Sequence, residues 1–121
     1  MKRDMLFLGA YCTLIFWLSS QSTLMPIPTD FEFKDKIVHG SAYAVMAWFV
    51  WAAFSHHVRD MRGLSVVVVL FASLYGVSDE FHQSFVPGRD ADVWDWFADT
   101  MGALCMSLYM YVRNLRLLCL G

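Results

Sequence analysis

The chain has 121 residues, 58% hydrophobic and 17% charged, with five Trp, ten Phe and a formal net charge of −2. That length allows one domain, and a soluble domain of this size could not cover so much apolar surface, so the chain falls in the membrane class. No basic run exceeds two residues, which speaks against nucleic acid as a partner.

Met1-Lys2-Arg3-Asp4 is a short basic start, and the uncharged run from Met5 to about Met25 is long enough to cross a hydrocarbon core of about 30 Å. A cleaved signal peptide has the same grammar, but no small-x-small cleavage site stands out and Phe16-Trp17 suit an interfacial anchor. Span one is therefore placed at 5–25. The two prolines Pro26 and Pro28 then force a structured loop.

Asp30 to Lys36 leads into a second apolar run, 37–55, interrupted by His39 and closed by His56-His57-Val58-Arg59-Asp60-Met61-Arg62. The third run, from Gly63 to Ser78, reaches only about 24 Å as a helix. To cross about 30 Å it must extend through Asp79-Glu80-Phe81-His82-Gln83, so span three is 63–83 and carries carboxylates on its last turn. Pro87-Gly88 signals a turn, and span four is expected over 95–112, followed by a basic tail that holds Arg113 and Arg116.

The expected fold is thus an all-α membrane protein of four transmembrane helices in a single domain. Lys2, Arg3, Arg59, Arg62, Arg113 and Arg116 fall on one side of it, and Lys34, Lys36 and Arg89 on the other, which places both termini in the cytoplasm. Apart from Asp4 and Asp60, the carboxylates all fall on the outer side. Cys12, Cys105 and Cys119 lie in or beside apolar runs with no CxxC spacing, and read as small buried apolar residues.

Ionisable groups at the edge of hydrocarbon are costly, so the outer ends of the spans are the place to look for a site. Helical spacing aligns Asp35, His39 and Tyr43 on span two, Asp79 with His82 and Gln83 on span three, and Asp95, Asp99 and Gly102 on span four. Gly102 would let another helix approach closely. Asp35, Asp95 and Asp99 lie near helix N-termini, where the macrodipole favours an anion. Asp79 and Glu80 lie at a C-terminus, where it opposes them. These two need a cation. Arg89 is nearest in sequence, with protonated His39 or His82, or Lys36, behind it, and a divalent metal as the remaining choice.

The pattern Asp35-Lys36-x-x-His39-x-x-x-Tyr43, with Asp79-Glu80-x-x-Gln83-x-x-x-Pro87-Gly88-Arg89 and Asp95-x-x-Ala98-Asp99-x-x-Gly102, resembles the VanZ-like family of small membrane proteins. The resemblance covers about residues 35 to 102. Gly40 departs from it, since the family often carries an aromatic after the His. The resemblance implies a four-helix domain in the bacterial cytoplasmic membrane and a cell-envelope role, including low-level glycopeptide (teicoplanin) resistance in the name-giving member. It implies no known reaction.

Three readings of the polar stretch follow. In the first, Asp35, Lys36, His39, Tyr43, Asp79, Glu80, Gln83, Arg89, Asp95 and Asp99 shape an outer pocket for an envelope lipid or cell-wall precursor, against the plainer alternative that the same network only locks the spans together. In the second, His39, Asp79, Glu80 and His82 are catalytic or metal-ligating groups of an enzyme acting on a lipid-linked or isoprenoid-phosphate substrate at the outer leaflet. No HExxH, nucleophile elbow or phosphate-cradling Gly loop accompanies them. The third, a transporter, is disfavoured, because four short spans leave little room for a pathway. His56-His57 reads as a solvated cytoplasmic loop, Trp48, Trp51, Trp94, Trp96, Tyr109 and Tyr111 as aromatic belts, and Asp90 and Asp92 as loop or helix-entry groups.

Overall fold

A computed structural model describes residues 1–22 and 34–120, the side chain of Leu120 excepted. Four helices follow one another: α1 (Lys2–Ser19), α2 (Lys34–Phe54), α3 (Met61–Gln83) and α4 (Val93–Leu120). α2 and α3 are each long and apolar enough to cross a membrane. α1 starts on three charged residues, and α4 carries Asp95 and Asp99 in its first turns, which lowers the hydropathy of both. The Pro26 to Pro28 loop, Asp30 and Glu32 lie outside the described residues.

Span one, expected over 5–25, is represented by a helix that begins earlier, at Lys2, and ends at Ser19. The amino terminus closes its first turn by donating to Asp4 Oδ2 at 2.6 Å. The helix at the expected span four, α4, continues to Leu120, well past the expected 112. Arg113 and Arg116 mark a change of polarity only, because Arg and Leu are good helix formers and nothing between 113 and 120 breaks a helix. α3 starts on an Asp60 cap, whose carboxylate accepts from the Arg62 and Gly63 amides.

α2 is the central element and packs against each of the other three helices; α1 and α4 lie on different sides of it and do not touch among the described residues. Its buried set, Tyr43, Met46, Ala47, Val50, Trp51 and Ala53, recurs mainly at three- and four-residue intervals and forms the core with Leu64, Val68 and Ala72 of α3 and Ala103 of α4, so Trp51 is a core residue and not part of an aromatic belt. Hydrogen bonds join neighbouring helices. Trp96 Nε1 donates to the Ser73 carbonyl at 3.1 Å, Thr100 to Ser73 Oγ at 3.1 Å and Ser107 to the Ser65 carbonyl at 3.3 Å, all between α4 and α3. The Tyr11 and Tyr75 hydroxyls donate to the carbonyls of Ala42 and Cys12, which ties α1 to α2 and α3. Such bonds are of the kind that joins helices packed within a membrane. The outer faces of the helices are broadly apolar, with Leu6, Leu74, Phe81, Phe85 and Leu108 each more than half exposed, a surface suited to a bilayer and not to water.

Candidate functional site

Three helix ends bring their polar residues together at the end of the bundle where α3 finishes and α2 and α4 begin. α2 and α4 meet there closely. A Cβ added to Gly102 would stand 1.9 Å from the Gly40 carbonyl oxygen, and one added to Gly40 would meet the Ala98 carbonyl at 3.3 Å. Gly102 therefore does what its position on the Asp95, Asp99 face predicted, and Gly40 is the reciprocal half of the crossing.

That approach sets two cross-helix pairs. Lys36 Nζ on α2 donates to Asp92 Oδ2 and, at 2.5 Å, to Asp95 Oδ1. One turn deeper, His39 Nδ1 lies 3.1 Å from Asp99 Oδ1. Asp99 is fully buried, and a carboxylate there requires a partner. Asp92 doubles as the start of α4. Its Oδ1 accepts from the Trp94 amide at 2.9 Å, and its carbonyl accepts from Asp95 N–H. The Lys36 ammonium, and then the Trp94 amide, hold the Asp92 carboxyl below its ordinary value.

α3 adds Asp79, Glu80 and Gln83, all buried. Gln83 Nε2 donates to Asp79 Oδ2 at 3.2 Å, and Glu80 Oε2 accepts the backbone N–H of Asp92 at 2.8 Å. The cation expected for these two carboxylates is not Arg89. Its Nε donates to the Gln21 carbonyl at 3.1 Å and its second nitrogen to the Leu18 carbonyl at 3.5 Å. The C-terminus of α1 presents the negative end of a helix dipole and carbonyls that can accept further bonds, and it takes the guanidinium. His82 is drawn away in the same direction. Its Nε2 lies 2.9 Å from Ser20 Oγ, and its ring centroid is 4.4 Å from that of Phe16. Asp35 stays exposed at the rim.

Among the described residues, four buried oxygens have no hydrogen-bond partner: Ser19 Oγ, Tyr43 Oη, Glu80 Oε1 and Asp99 Oδ2. Gly76 leaves the space in which two of these groups sit, since a Cβ there would be 3.2 Å from Asp99 Oδ2 and 3.5 Å from Tyr43 Cε1. Buried polar atoms are nearly always paired, so a group of them in one region marks a place built for a ligand, ion or water. A cavity of about 90 Å³ opens beside it, lined among others by Ser19, His39, Tyr43, Asp79, Gln83 and Arg89. One donor atom from each of His39, Glu80 and Asp99 lies within 4.8 Å of the others, and the same holds for Asp35, His39 and Asp95.

Of the site residues expected from spacing, Lys36, His39, Tyr43, Asp79, Glu80, Gln83, Asp95 and Asp99 thus gather in one region, Arg89 reaches it from the α1 side, and His82 does not join it. Asp92, expected as a loop or helix-entry group, is that and also Lys36's partner. The signal for it was its position three residues before Asp95, on the same face of the entering helix. Ser19 carried no sequence signal.

A family model described as VanZ/LLP1 matches residues 5–114. No curated protein and no solved structure matches the chain.

Proposed function

The chain belongs to the VanZ/LLP1 family, and we propose that it is a single-domain, four-span protein of the bacterial cytoplasmic membrane whose outer mouth binds the polar headgroup of an envelope lipid or lipid-linked cell-wall precursor. In this reading α1 and α4 cross the bilayer beside α2 and α3, both termini are cytoplasmic, and the ends of α2, α3 and α4 that carry Lys36, Glu80 and Asp95 face outward, in accord with six basic residues on one side against three on the other. The observation that carries it is the set of unpartnered buried oxygens on Ser19, Tyr43, Glu80 and Asp99, of which those of Ser19 and Tyr43 belong to residues lining a cavity. A network that served packing alone would satisfy its own polar atoms.

The cavity fits a headgroup fragment and leaves acyl chains to the apolar outer surface. Ser19, Gln83 and Arg89 supply donors at its wall, and the Asp79 carboxylate supplies acceptors. Through this site the protein would act on the envelope, with altered glycopeptide susceptibility as one outcome. Native mass spectrometry of protein extracted from membranes tests the binding. Wild type is expected to carry a polar envelope lipid that is lost in folded Gln83→Leu and Ser19→Val variants. Folded wild type free of lipid, or variants that carry it equally well, would overturn the proposal.

A second reading is favoured by one contact. A buried carboxylate on His39 Nδ1 is the arrangement that orients an imidazole as a general base. On this reading the protein is an enzyme acting at the outer leaflet on a lipid-linked or isoprenoid-phosphate substrate, with His39 moving the proton and Asp99 positioning it. Turnover of such a lipid by purified wild type, abolished in His39→Gln, is the result that would establish it.

A further inference from the structure

We propose that the deep end of the polar region is a divalent-cation site with His39, Glu80 and Asp99 as its protein ligands. The inference rests on the convergence of α2, α3 and α4 and adds an ion to the pocket proposed above.

Each of the three offers a donor atom within 4.8 Å of the other two, a span that a single ion can bridge. Two of them are carboxylates more than nine-tenths buried, and each retains one oxygen with no partner, Oε1 on Glu80 and Oδ2 on Asp99. The other oxygen of Glu80 is already fixed on the Asp92 amide, which is the outer support that ligating carboxylates commonly have. Tyr43 Oη, likewise buried and unpartnered, lies in the same region and could accept a bond from an ion-bound water.

Charge argues the same way. Two buried carboxylates balance a dipositive ion, whereas without one they share only the His39 proton, and uncompensated buried charge is strongly unfavourable. The donor set of one imidazole and two carboxylates suits a first-row metal such as Zn²⁺, or Mn²⁺, which also accepts imidazole, better than Ca²⁺ or Mg²⁺, which favour all-oxygen sites. The alternative trio of Asp35, His39 and Asp95 is the weaker candidate, because Asp35 is exposed and Lys36 already occupies Asp95. An ion at the deep site would also reverse the field met by a phosphate-bearing headgroup, which the carboxylates alone repel.

The test is metal titration of the full chain purified in detergent, using Mn²⁺ followed by paramagnetic resonance and Zn²⁺ followed by calorimetry, with thermal unfolding as the check on folding. Wild type is expected to take up about one equivalent, and Glu80→Gln and His39→Gln to bind at least tenfold more weakly. A double variant His56→Asn, His57→Asn, which removes the histidine beside Asp4 and its neighbour, is expected to bind as wild type does. Folded wild type that takes up no metal, folded Glu80→Gln that binds undiminished, or binding lost only in the His56, His57 variant would each overturn the inference. Lipid retention measured in chelator separates this outcome from failure of the headgroup proposal, since lipid that stays bound without metal leaves that reading intact.

Discussion

The backbones of α2 and α4 meet at Gly40 and Gly102, where an added Cβ on Gly102 would fall 1.9 Å from the Gly40 carbonyl oxygen and 2.9 Å from Gly40 Cα. Lys36 and His39 on one helix reach Asp95 and Asp99 on the other because the two axes approach here, so the crossing positions the site.

Gly102→Ala should therefore separate the helices. The obstructing atoms are backbone and cannot swing aside, so the loss is expected at or above the usual overpacking range of about 1–3 kcal/mol. It is read as a lower unfolding midpoint. Gly9→Ala, whose Cβ meets nothing within 4 Å, should leave the midpoint unchanged or raise it slightly.

Lys36→Met should destabilise by about 1–3 kcal/mol, below the range for a fully buried pair, since the lysine is partly exposed while Asp95 is buried. Adding Asp95→Asn in the same chain should recover part of the loss. A double-mutant cycle on the unfolding midpoints measures it, and strict additivity would show that the pair is not coupled.

Arg89→Gln should act on α1. Because the guanidinium bonds the carbonyls of Leu18 and Gln21, faster amide hydrogen exchange is expected in the last turn of α1, with exchange around Asp79 and Glu80 little changed. The reverse pattern would return Arg89 to the carboxylates.

Asp92 gives a pH signature. Lys36 and the Trp94 amide hold its folded-state pKa below the ordinary 3.8. Its contribution to stability is then complete above that value and is lost as pH falls through the lower folded-state value, where the unfolded chain binds more protons. Unfolding midpoints measured downward from pH 5 should drop in wild type and drop less in Asp92→Asn.

The parts of this arrangement legible in sequence are those set by local periodicity. Uncharged runs located the helices, and three- and four-residue spacings put Asp35 beside His39 and Asp95 beside Asp99 on their own faces. Partner choice was not local. Arg89 lies ten residues past Asp79, yet it bonds the end of α1, because which free helix terminus comes nearest is settled only when three helices pack. His82 shares a helix face with Asp79 by spacing, but it sits where Ser20 and Phe16 of α1 pass. Gly40 departs from a family habit in sequence and is one side of the close approach of α2 and α4.

Carbodiimide coupling of the wild-type protein, followed by peptide mass spectrometry, tests most directly whether the ends of α2 and α4 share one polar region. Lys36 Nζ already touches Asp92 and Asp95 and is accessible enough to react, and the amino terminus 2.6 Å from Asp4 provides an internal control. An amide link from Lys36 to Asp92 or Asp95 is the expected product. Recovery of Lys36 unlinked to either, in a sample where Met1 has coupled to Asp4, would contradict the convergence on which the site depends.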